Sequence, residues 1–249
     1  MAAYGFIAIV LPLFPYASRH YQLAMLLIAL VSIVWGTSLA FTTRDSRLVV
    51  AYSSIAQLAF ITLGIFSLRQ EGTQGALLQM VNHGLVTAAA FFVVAALAAR
   101  AGGSESLDDM GGIAFRAPVL ATLFVIIAFA TLAMPGSSNF IGEFMILLGV
   151  FKAKMAISII AFLGVIGAAF YALRLFITSM HNRVGGPVAS RDVRPIDVIG
   201  LVPLVLAMLA LAFYPQFGLR RTQSTVRQAL GPVASLSSGP VSIAQRSSP

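Results

Sequence analysis

Apolar runs long enough to cross a bilayer recur along almost the whole chain, and this repetition constrains the fold more than any single motif. A spanning helix needs roughly 20 mostly apolar residues. Reading the runs between polar punctuation predicts helices near 4–16, 22–43, 48–67, 74–99, 117–150, 156–180 and 196–214. The 249 residues are 59% hydrophobic and 10% charged, with a mean hydropathy of +0.92, which is more apolar surface than one soluble core can bury. The expected class is an all-α integral membrane protein with about six full transmembrane helices and a short N-terminal half-helix.

The formal charge of +8 comes from 16 Lys and Arg scattered in ones and twos between the apolar runs. They form no basic face, so they read as loop charges facing a lipid bilayer and not as a nucleic-acid surface. Assigning loops alternately to two sides places Arg44, Arg47, Arg100, Arg116, Arg183, Arg191 and Arg194 together, against Arg19, Arg69, Lys152 and Lys154. The first, more basic side is expected to be cytoplasmic. No cysteine is present, which excludes disulfides, Cys-ligated metal and iron–sulfur clusters. The three dispersed histidines have no carboxylates near them in sequence and make no metal site.

At the N-terminus no basic residue precedes the apolar stretch, and Pro12 and Pro15 interrupt it, so it reads as the second half of a helix and not as a cleaved signal. From residue 216 to 249 the composition is mixed and ends in SLSSGPVSIAQRSSP, which predicts a flexible tail.

Segment 117–150 is too long for one span and carries MPGSSN in its middle. Proline lacks an N–H and clashes with the preceding turn, so a helix break is expected at Pro135 and Gly136. Backbone groups freed at membrane depth must be satisfied by protein or water, and Ser137, Ser138 and Asn139 are the local candidates. Broken helices of this kind recur in transporters, with half-helix ends facing the transported ion.

Few polar residues interrupt the spans. Glu143 lies eight residues past Pro135 among apolar neighbours, with no basic residue within a helical turn. An ionised carboxylate there is costly, which suits a group that takes up and releases a proton; the alternative is a structural Glu hydrogen-bonded across helices. His83 sits mid-span with Gln79 one turn before it and Asn82 beside it, and reads either as a proton relay or as a packed core histidine. Positions 47, 50, 54 and 57 share a helical face, so Arg47 and Gln57 could border a hydrated path, unless Asp45 and Arg47 are interfacial anchors. Arg174, in the last turns of its helix, reads as a snorkelling anchor. No phosphate-binding loop and no nucleophile triad is present, and no catalytic residue is assigned.

DSRLVVAYSSIAQLAF, QGALLQMVNHGLVTAAAFF and DDMGGIAFRAP resemble consecutive segments of the antiporter-like subunits of respiratory complex I. ATLAMPGSSNFIGEFMILLGVF resembles the broken helix of the subunit M (chain 4) branch, which carries Glu where sister subunits L and N carry Lys, and AFYPQ also fits. The resemblance runs over residues 1–215 and implies an antiporter-like transmembrane domain. It implies a non-redox, proton-translocating subunit of an NADH:quinone oxidoreductase in a bacterial inner membrane, packed beside subunits L and N. It also implies that NADH, flavin, iron–sulfur clusters and quinone belong to other subunits, with no cofactor on this chain.

By the same resemblance Glu143 stands at the terminal proton-pathway carboxylate and His83 at a central-axis histidine. Arg47 stands where the family usually has Lys, and Gln57 where subunit M usually has His. Arg holds its proton at working pH and Gln does not titrate, so both departures alter the relay. The family places a helix lysine just before AAYGF, and about seven further helices carrying a Glu–Lys pair before that. The chain therefore reads as the second half of the inverted repeat, a fragment or a split gene product. Alternative readings are a multisubunit cation/proton antiporter or membrane-hydrogenase subunit, or a non-transporting remnant.

Overall fold

The computed structural model describes residues 2–181 and 192–236. The chain opens with α1 (Ala2–Gly5), a π-helical turn at Phe6–Val10 and α2 (Leu11–Leu13). It breaks at Phe14 and resumes in α3 (Pro15–His20). The spans α4 (Gln22–Thr42), α5 (Ser46–Phe66) and α6 (Gln70–Arg100) follow. A short turn of helix, α7 (Ile113–Arg116), leads into α8 (Pro118–Thr131) and α9 (Ser138–Ala153), and then α10 (Met155–Met180), α11 (Pro195–Phe213) and α12 (Gln216–Ser235).

Five of these helices, α4, α5, α6, α10 and α11, are long and apolar enough to span a membrane. The 21 residues of α4 or α5 rise about 31 Å, matching a hydrocarbon core of roughly 30 Å. The broken pair α8 and α9 adds a sixth apolar crossing, so the described residues form six spans preceded by a short N-terminal helix. Large apolar side chains such as Leu27, Val31, Trp35, Phe170 and Ile199 are exposed on the outer faces, as lipid contact requires.

Local chemistry sets the helix ends. Asp45 caps α5 by accepting from the Leu48 amide at 2.9 Å. Pro118 and Pro195 open α8 and α11, where a missing N–H costs nothing. The Asp192 carboxylate accepts from the Val119 and Leu120 amides and so ties the start of α8 to the approach to α11. Arg174 donates to the Phe41 and Thr43 carbonyls at the end of α4, which joins the expected anchor to a helix terminus.

The two sets of loop charges lie at opposite ends of the bundle. Arg44 pairs with Asp108 and Arg47 with Glu105 at one end; Lys152 pairs with Glu71 at the other. Arg183 and Arg191 lie outside the described residues.

The expectation for the C-terminal segment needs correction. The flexible tail predicted from residue 216 is helical over Gln216–Ser235, while 237–249 lie outside the described residues. The helix forms because Val226, Ala229, Leu230 and Val233 recur at helical spacing and bury one face against the bundle. The Gln74 side chain fixes it further by donating to the Leu219 carbonyl at 2.8 Å.

The buried apolar side chains divide into two clusters. One gathers Val50, Val86, Val93, Phe124, Ile127 and Leu175; the other gathers Ile33, Phe60, Ile65, Ala76, Ile146 and Ala161. On α5, α6 and α9 the buried polar residues fall beside or between them: Ser53 and Gln57, Gln79 to His83, and Ser138 to Glu143. A polar layer therefore crosses the bundle at mid-depth.

Candidate functional site: a buried carboxylate beside a broken helix

The break occupies residues 132–137. Gly136 has φ +93° and Ala133 has φ +51°, both left-handed, and the Ser137 amide closes a turn onto the Met134 carbonyl at 2.9 Å. Glycine adopts that conformation freely, whereas Ala133 holds it under constraint. The expectation that Ser137, Ser138 and Asn139 satisfy the freed backbone is not met, because the polar atoms of all three side chains lack protein partners. Asn82 of α6 ties the start of α9 to its own helix, its Nδ2 donating to the Ser138 carbonyl at 2.6 Å.

Glu143 sits one and a half turns into α9 and is 3% exposed. Its Oε1 accepts from Gln57 Nε2 at 2.7 Å and from Gln79 Nε2 at 3.4 Å, and Gln79 Nε2 also reaches Gln57 Oε1 at 3.2 Å. Three helices thus close a triangle of two amides and one carboxyl. Oε2 has no protein partner, and no ion pair reaches Glu143 among the described residues. A carboxylate held by two amide donors is partly stabilised, and a neutral acid keeps a free oxygen for its proton. Neither state is fully satisfied by the protein alone, and Oε2 is the atom left open.

Glycines bring the helices this close. A Cβ on Gly142 would fall onto the Gln79 side chain, and one on Gly149 would fall onto the backbone of Gly72. Their absence lets α9 lie against α6 with Gln79 in reach of Glu143.

His83 is 8% exposed, and the Thr87 hydroxyl lies 3.3 Å from its Nδ1 and 3.2 Å from its Nε2. It lines a cavity of about 30 Å³ together with Ser53, Gln57, Thr131, Asn139 and Tyr171. That is room for one or two waters, since a water needs roughly 10–15 Å³ of such space. Tyr171 is fully buried, with its hydroxyl unpartnered on the same cavity. Gln57 lines the cavity and also touches Glu143, so it is the physical link between His83's chamber and the carboxyl. A second hollow, about 210 Å³, lies at the break between α8 and α11 against Pro135, Gly136 and Met208.

Of the residues singled out in the sequence, Glu143, Gln57 and His83 gather in this layer. Arg47 does not. Ten residues before Gln57, it lies about 15 Å along α5, where it forms a 2.5 Å ion pair with Glu105. On α5 it stands about 80° around the helix from Gln57, exposed where Gln57 is buried, and its charge stays at the bundle end. Gln79, Asn82 and Tyr171 were not assigned to the site from sequence. The spacing of Gln79 from His83, one helical turn, was the available signal for the first, and nothing marked Tyr171 within an apolar run.

A polytopic helical bundle whose broken span carries a lone buried carboxyl defines a class of membrane domain whose architecture recurs in transporters. Residues 1–170 match the family described as NADH:quinone oxidoreductase/Mrp antiporter, TM, and the chain belongs to that family. It is 34% identical over 217 residues to NADH-quinone oxidoreductase subunit M of Rickettsia prowazekii, covering 86% of this chain and 44% of that protein. It is 35% identical over 221 residues to subunit M of Pseudomonas aeruginosa, covering 86% of this chain and 42% of that one. Its fold matches a chain of respiratory complex I from Thermus thermophilus with a TM-score of 0.87 at 29% identity, over 93% of this chain and 49% of that chain. A chain of the Mrp complex from Dietzia shares the fold with a TM-score of 0.82 at 18% identity, over 95% and 52%. The chain thus spans less than half the length of these curated relatives.

Proposed function

We propose that this chain is a proton-translocating membrane subunit of an NADH:quinone oxidoreductase in a bacterial inner membrane, and that Glu143 is its proton-exchanging group. The observation that carries the mechanism is the half-satisfied Glu143 carboxyl, held at Oε1 by Gln57 and Gln79 and open at Oε2. Glu143 loads a proton at Oε2 when the surrounding field favours the neutral acid and releases it when the field reverses. Waters in the His83 cavity connect to Glu143 through Gln57, whose amide orients water without titrating. Moving one charge across 100 mV takes about 2.3 kcal/mol, so the driving free energy must come from redox chemistry elsewhere in the assembly.

In this reading NADH, flavin, iron–sulfur clusters and quinone are held by other subunits, and sister subunits L and N are the neighbours. Arg47, paired with Glu105, acts on the path only as a fixed charge. The identity of the relatives favours this reading over a cation/proton antiporter subunit, since the Mrp likeness is one of fold. The test is Glu143→Gln in the assembled complex, with protons moved per NADH oxidised as readout. The ratio should fall while assembly stays normal; an unchanged ratio rejects the mechanism.

A further inference from the structure

At the end of the bundle away from Arg44 and Arg100, a hollow of about 670 Å³ opens between α3, the α5–α6 turn, the α9–α10 turn and α12. Four cations line it from those four segments: Arg19, Arg69, Lys154 and Arg227. None of the four is in an ion pair among the described residues, and the one carboxylate on the wall, Glu71, is engaged by Lys152 at 2.5 Å. The concentration of positive charge is therefore not balanced within the described chain.

The walls are built and not incidental. The α5–α6 turn has only three residues, with Leu68 at φ +52°, a conformation a leucine adopts only when its surroundings impose it. Gln22 Nε2 holds the turn by donating to the Phe66 and Ser67 carbonyls at 3.0 and 3.2 Å, and the chain leaves it at Arg69. On the other side Val226 and Leu230 anchor α12 in the apolar core while Arg227 between them stays exposed. Apolar Leu68, Leu230 and Val233 complete the lining.

The hollow lies where α4 begins and where α5 and α9 end, which is the depth of lipid headgroups beside these spans. It is concave, far larger than a single ion needs, cationic on its rim and apolar in part of its lining. We propose that it binds the phosphate-bearing headgroup of an anionic phospholipid, with Arg19, Arg69, Lys154 and Arg227 sharing the charge and the apolar residues taking the glycerol end. Basic pockets between membrane helices capture such headgroups by the same electrostatics. An acidic protein partner is less suited to a recess at this depth.

The experiment is lipid retention by the purified, assembled complex, read by native mass spectrometry after exchange into phosphatidylglycerol or phosphatidylcholine of identical acyl chains. Lys154→Gln with Arg227→Gln removes two cations from the hollow. Arg220→Gln with Arg221→Gln removes two from the same helix outside its lining. Phosphatidylglycerol should be retained over phosphatidylcholine, and the first pair should weaken it by more than tenfold, at about fivefold per cation, while the second pair leaves it unchanged. Excess inorganic phosphate should not displace it. Equal retention of both lipids, equal loss in both variant pairs, or displacement by phosphate alone would each overturn the proposal.

Discussion

Gln57 and Glu143, 86 residues apart in the chain, meet through a 2.7 Å hydrogen bond in which the amide of α5 donates to the carboxyl of α9. That bond couples a water-sized cavity to the buried acid. Replacing Gln57 with Leu should leave Glu143 with one weak donor, costing about 1–3 kcal/mol of stability. Proton transfer should drop with it, and Gln57→His should retain more of it because an imidazole can both bond and titrate. Thermal unfolding in detergent and proton-to-electron ratios in vesicles check the two parts separately.

Asn82 of α6 holds the first residue of α9 by donating to the Ser138 carbonyl at 2.6 Å. Asn82→Leu keeps the bulk and removes the interhelical donor, while the Ser138 carbonyl keeps its intrahelical place in the first turn of α9. The expected cost is about 0.5–1.5 kcal/mol, with faster hydrogen exchange confined to the break and the first turn of α9. Uniform exchange across the bundle would contradict this.

The α6–α9 contact depends on glycines. Gly149→Ala should destabilise by about 1–3 kcal/mol because its Cβ meets the Gly72 backbone, which cannot give way like a side chain. Gly84→Ala, on the same α6 with open space around it, should be neutral or stabilising. Comparing the two melting temperatures isolates packing from helix propensity.

At the opposite end Arg100 and Asp197 are both buried, at 5% and 7% exposure, and 3.6 Å apart, with Arg194 also on Asp197 at 3.0 Å. Arg100 donates further to the Ala96 and Asp192 carbonyls, so α6 and α11 share one charged knot. Asp197→Ala should leave a buried cation without its carboxylate and cost about 3–5 kcal/mol. The exposed pair Arg44 and Asp108 should show less than about 1 kcal/mol in the same assay.

The apolar periodicity determined the class, the six spans and their ends to within a few residues, because lipid demands about 20 apolar residues and internal backbone bonding from every span. Pro135 and Gly136 determined the break, since their backbone chemistry is local. Glu143 was legible as an anomaly of solvation. The tertiary structure alone decided that Arg47 stays at the bundle end, that Gln57 and Gln79 are the partners of Glu143, that Asn82 reaches Ser138, and that Tyr171 faces the same cavity as His83. It also decided that residues 216–235 fold back as α12 over the cationic hollow. These are contacts between helices far apart in sequence, set by rotation and by glycine-permitted approach, and no local period in the chain records either.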